Sequence, residues 1–153
     1  MLRYAFAVGP KWEGSTQQLD NGGQIIAFAD KTQEKPDKVT RIILVAQPSP
    51  VASYEELERA IEPQGKVLAV ETIEKASGKS DGFVRVFDYE NKGIRYTTIF
   101  SLRVKPSGAE QNWLVTLTAQ TPADTYKQYE KEVQDIIKSF RFIYPVEVKT
   151  SEV

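Results

Sequence analysis

Between Ile94 and Val104 the chain sorts its side chains onto two sides. Ile94, Tyr96, Thr98, Phe100, Leu102 and Val104 fall on one, and Arg95, Thr97, Ser101 and Arg103 fall on the other. Successive side chains of an extended chain point to opposite faces, so a run this long commits the segment to a β-strand, with the side of Tyr96, Phe100 and Leu102 expected toward a core. Trp113, Val115, Leu117 and Ala119 repeat the pattern after the turn at Pro106-Ser107-Gly108. Glu90-Asn91-Lys92-Gly93, just before the first run, carries a hairpin signal in which Gly supplies positive φ. Alternating runs joined by short turns predict an antiparallel meander.

Other segments extend the sheet. Leu2, Tyr4, Phe6 and Val8 alternate until Gly9-Pro10, which predicts an opening strand with Trp12 beyond it in a loop. A turn at Leu19–Gly23 leads into a strand from Gln24 to Ala29. Thr40 to Ala46 is apolar on both sides, so it is expected mid-sheet, covered on both faces. Lys66–Glu74 and Phe83–Glu90 read as two more strands. Ser53-Tyr54-Glu55-Glu56 is a capping box that predicts a short helix to about Ile61. A second helix is expected after Ala119, with Thr121 as N-cap, Pro122 at the first helical position and Asp124 favouring the dipole. Its stripe is Tyr126, Tyr129, Val133, Ile136, Ile137 and Phe140. The economical order is β-β-β-α-β-β-β-β-α: an α+β fold in which an antiparallel sheet is flanked by helices. Residues 1–142 read as one domain, and residues 143–153 as a tail.

Composition narrows the chemistry. The 153 residues include no cysteine and no histidine. That removes disulfides, thiolate chemistry, the commonest general base and any Ser-His-Asp triad. Twenty basic and 21 acidic residues leave a net charge of −1, with no field to draw nucleic acid or an anionic membrane. No apolar stretch is longer than that from Ile42 to Ala46, which is far short of the roughly 20 residues that span a bilayer. The opening residues are not patterned as a signal or transit peptide.

Candidate sites are few. Glu55, Glu56, Glu58 and Glu62 crowd the first helix, and Glu130, Glu132 and Asp135 the second. A solvated helix face explains both, with Lys127 and Lys131 spaced to pair with the second set. Asp20-Asn21-Gly22-Gly23 and Ser80-Asp81-Gly82 read as turns rather than cation loops. No nucleophile elbow is present, and nothing lowers a lysine pKa, so no enzyme is expected. Trp12 is expected to plug one end of the core, and Trp113 to lie within it. Arg95, Arg103 and Lys105 lie on or just beyond one strand and are the candidate partner-binding residues, since arginine forks grip carboxylates well.

The order of motifs resembles the PsbP family, extrinsic proteins of photosynthetic membranes, and the wider Mog/PsbP-like α/β/α sandwich. The residues that carry the resemblance are Phe6–Trp12, Gly23–Asp30, Ile43–Pro48 with Ser53–Leu57, and Leu117–Asp124 through Ile137–Phe140, and it covers residues 4–142. It implies a non-catalytic extrinsic or accessory protein of the thylakoid lumen. Such a protein binds subunits of a thylakoid membrane complex, above all photosystem II, and helps to assemble or stabilise it. A monomer without membrane insertion and without a cofactor is expected, calcium entering by the resemblance alone. Higher-plant members carry a longer N-terminal arm, and histidines are associated with metal binding in the family. Neither feature is found here, which favours an assembly or accessory role over that of an oxygen-evolving subunit. Alternatives are a Mog-type Ran-binding or bacterial chaperone-like binding module, and a hydrolase that works without histidine.

Overall fold

A computed structural model describes residues 4–5, 7–32, 39–51, 53, 56, 66–74, 83–103 and 111–142. Its strands are β1 (Tyr4–Ala5), β2 (Trp12–Gln18), β3 (Gln24–Asp30), β4 (Arg41–Ser49), β5 (Lys66–Glu74), β6 (Phe83–Asn91), β7 (Ile94–Arg103), β8 (Asn112–Pro122) and β9 (Arg141–Phe142); one helix, α1, spans Tyr126–Lys138. Strands β2 to β8 form one sheet in the order β2-β3-β4-β8-β7-β6-β5, antiparallel at every junction. β1 and β9 pair separately, Tyr4 opposite Phe142 and Ala5 opposite Arg141. The expected α+β architecture of antiparallel sheet and packed helix is present. The predicted helix at 53–61 lies outside the described residues apart from Ser53 and Glu56. There the Ser53 hydroxyl accepts the Glu56 N–H at 3.2 Å, as the capping box requires.

β4 takes the interior place its two-sided apolar sequence predicts, between β3 and β8. Ile42, Leu44 and Ala46 are buried beneath α1 and its flanks, while Ile43 and Val45 are half-buried on the opposite face. The helix lays its predicted stripe on the sheet: Tyr126, Val133, Ile136, Ile137 and Phe140 join Leu117, Val115 and Ile99 in one core. Both tryptophans belong to it, Trp12 buried and Trp113 packed at its margin. On the second face Phe87 and Phe100 meet edge-on at 5.6 Å between ring centroids, next to Val51, Tyr89 and Leu114.

Three expectations need correction. The helix begins at Tyr126, not near Thr121, because Thr121 and Pro122 still pair with Arg95 and Ile94 at the end of β8. Trp12 starts a strand, β2, rather than lying in a loop. The six residues after it are exposed on both faces, so the segment has no apolar alternation and is drawn into the sheet by its ladder to β3. In β7 the side carrying Thr97, Ile99 and Ser101 is the one that meets the helix-covered core. Its short hydroxyl side chains leave room for the helix, and Phe100 and Leu102 are buried on the other face.

Candidate functional site

The predicted contact residues lie toward the two ends of β7. Arg95 stands opposite Thr121 of β8 and Glu90 of β6, and its guanidinium lies 4.2 Å from the centroid of the Tyr126 ring, a cation–π contact with the first turn of the helix. Its Nε is buried without a hydrogen-bond partner. Arg103, opposite Trp113, is eight strand steps away, about 26 Å at roughly 3.3 Å each. The two share a face, as the alternation requires, but they do not form one patch. Lys105 and the side chain of Arg103 lie outside the described residues.

A short polar chain runs beside Arg95. Thr97 Oγ1 donates to Asp88 Oδ1 at 2.5 Å, and Gln134 Nε2 bridges Asp88 and the Tyr126 hydroxyl at 3.4 and 3.2 Å. These bonds fix α1 over β6 and β7.

The densest ionic cluster among the described residues sits elsewhere and was not singled out as a cluster in the sequence. Trp12 and Asp30 are register partners at the ends of β2 and β3, which brings Lys11 and Asp30 beneath α1. Lys11 Nζ lies 2.7 Å from Glu132 Oε2 and 3.5 Å from Asp30 Oδ2. Trp12 Nε1 donates to the other Glu132 oxygen at 2.9 Å. The Asp30 carboxylate is fully buried and accepts from the Thr32 N–H and hydroxyl at 2.9 and 2.5 Å, and from the Tyr129 hydroxyl at 3.3 Å. Lys11 also lies 5.0 Å from the centroid of the Tyr129 ring. Glu132 therefore reaches across to Lys11 rather than pairing along its own helix with Lys127 or Lys131. The only signal in the sequence was a Lys-Trp pair after a proline and an Asp closing an apolar strand.

The electrostatics describe a clamp. The hydrogen bond to Glu132, helped by the charges of Glu132 and Asp30, holds the Lys11 pKa above its ordinary value despite some desolvation. Burial works to raise the Asp30 pKa, but the Thr32 hydrogen bonds and the Lys11 charge overcome it and leave the carboxyl below its usual range. Both groups stay charged near neutrality, so neither is poised to exchange a proton. Among the described residues no three acidic side chains are grouped to hold a metal ion. The Leu19–Gly23 segment is a turn, with Asn21 Oδ1 accepting the Gly23 N–H at 2.9 Å and Gly22 at φ 85°. Ser80–Gly82 lies outside the described residues.

No family model matches the chain, and no curated protein matches it in sequence. Solved structures do. The solution structure of cyanobacterial PsbP (CyanoP) from Synechocystis sp. PCC 6803 aligns with a TM-score of 0.58 at 12% identity, covering 92% of this chain and 86% of that one. The fold is PsbP-like. LpqN, involved in cell envelope biogenesis of Mycobacterium tuberculosis, aligns with a TM-score of 0.56 at 13% identity, covering 94% of this chain and 85% of its own. The PsbP-like sheet and its closing helix are thus common to two proteins of different organisms. In this chain the clamp is what ties that helix to the first strands of the sheet.

Proposed function

We propose that this PsbP-like protein is a non-catalytic accessory subunit that works by docking its folded body onto a larger membrane-associated assembly. The observation that supports this most is the Lys11–Asp30–Glu132 clamp. The strongest ionic cluster among the described residues is spent on holding α1 to the sheet, with both shifted groups pushed away from neutral pH. Cyanobacterial PsbP is the neighbour whose family motifs the sequence resembles, which favours a photosynthetic complex in the thylakoid lumen, photosystem II first. Among the described residues no helix is long and apolar enough to cross a membrane; the partners of this reading are protein subunits of the complex.

The test is co-sedimentation of the purified protein with photosystem II particles stripped of extrinsic subunits. Saturable binding at micromolar concentration supports the reading, and protein left wholly in the supernatant removes it. The similar match to LpqN favours a second reading, an accessory role at a bacterial envelope. Binding to isolated envelope complexes but not to photosystem particles would select that one. Capture of a GTPase or a secreted effector would point to the Mog-type or chaperone-like alternative.

A further inference from the structure

At the end of the sheet remote from Trp113, the β6–β7 hairpin, the start of β4 and the turn from β8 into α1 enclose an open cavity of about 620 Å³. Ligand sites commonly measure about 300–1,000 Å³ and combine apolar walls with a few polar anchors. Ile94 and Pro122 give this one apolar wall, Gln120 brings an amide, and Arg41 and Lys92 bring positive charge. The ion pairs among the described residues all use Lys11, so neither cation is neutralised by a described carboxylate. Asp124, the one acid of the lining, already has a contact of its own.

One further feature points to a ligand. Lys92 is the non-glycine residue with positive φ among those described, 50°, at the first position of a two-residue hairpin turn. Asn, Asp or Gly is favoured there. Strained backbone that puts a charged side chain at a cavity is a recurrent mark of functional sites.

We propose that this cavity binds a small organic anion, a carboxylate or phosphate carried on an apolar body. Arg41 and Lys92 hold the charged head, and Ile94 and Pro122 receive the apolar part. The site goes beyond the docking role and stands or falls apart from it.

Amide chemical shifts read in titrations with phenyl phosphate, benzoate, inorganic phosphate and benzyl alcohol test the proposal. The expected result is saturable shifts confined to residues 39–41, 92–94 and 120–124 with one or both organic anions, the stronger of which identifies the head group. Inorganic phosphate and benzyl alcohol should bind at least about tenfold more weakly, since each lacks one half of the recognition. Arg41→Gln and Lys92→Asn should each weaken the organic anion about tenfold. Lys92→Asn should at the same time raise Tm by about 2 °C, because asparagine accepts positive φ more readily. That opposite movement is not expected of a lysine with a purely structural role. Shifts scattered over the surface, equal binding of benzyl alcohol or of inorganic phosphate, or unchanged affinity in folded Arg41→Gln and Lys92→Asn proteins would each overturn the site.

Discussion

Gly23 shows how one atom governs the first hairpin. It is buried where β3 meets β4, and a Cβ there would lie 2.5 Å from the Ala46 carbonyl oxygen, an atom fixed by the ladder. Backbone cannot yield as a side-chain tip can. Gly23→Ala is therefore expected to cost about 2 kcal/mol, read in thermal denaturation as a Tm lower by roughly 6 °C. Gly22 has open space around it and is needed for its positive φ instead. The sequence showed this turn as Asp-Asn-Gly-Gly but could not assign separate duties to its two glycines, because the close approach comes from β4, more than twenty residues away.

At the scale of elements, the clamp between α1 and the ends of β2 and β3 makes stability depend on pH in a direction that can be worked out. Asp30 has a folded pKa below the ordinary value of about 3.9, so its contribution is intact above that value and is lost as pH falls through the folded pKa. Lys11 has a folded pKa above about 10.4, so its contribution is present below that value and is lost as pH rises through the folded one. Between them lies a plateau. Asp30→Asn should cost about 2 kcal/mol at pH 7, a figure kept modest because Lys11 is one-third exposed and screened. The gap in Tm between wild type and variant should hold from pH 5 to 8 and narrow below about pH 4. A gap that widens in acid would contradict the assignment. β4, with its two-sided apolar run, and the α1 stripe were legible because such patterns report burial directly, and β7 was legible as a strand although its alternation did not show that the Thr97, Ile99 and Ser101 side meets the helix. β2 was not, because a strand exposed on both faces carries no such record. Nor was the clamp, since Lys11, Asp30 and Glu132 are brought together only by register and helix docking. The start of α1 was misplaced because Thr-Pro at 121–122 suits a helix cap as well as the last rungs of a ladder.

Across the whole molecule, the sheet divides into two meanders. β2-β3-β4 is local in sequence, and so is β5-β6-β7-β8, but the junction of β4 with β8 joins residues 41–49 to residues 112–120. The chain leaves β4 mid-sheet and resumes at β5 on the far edge. Two fragments divided after residue 51 should therefore each keep a set of neighbouring strands and reassemble along the β4–β8 junction. Trp12 reports on one fragment and Trp113 on the other. Native tryptophan emission recovered only on mixing, with co-elution as one species, is the expected result; independent folding of either fragment would contradict it. The same junction has a consequence for the nascent chain. A ribosome adds roughly 5–20 residues per second, so the apolar border of β4 waits several seconds before β8 emerges to cover it. Synthesis, rather than maturity, is when this protein is most exposed to sticking to its neighbours.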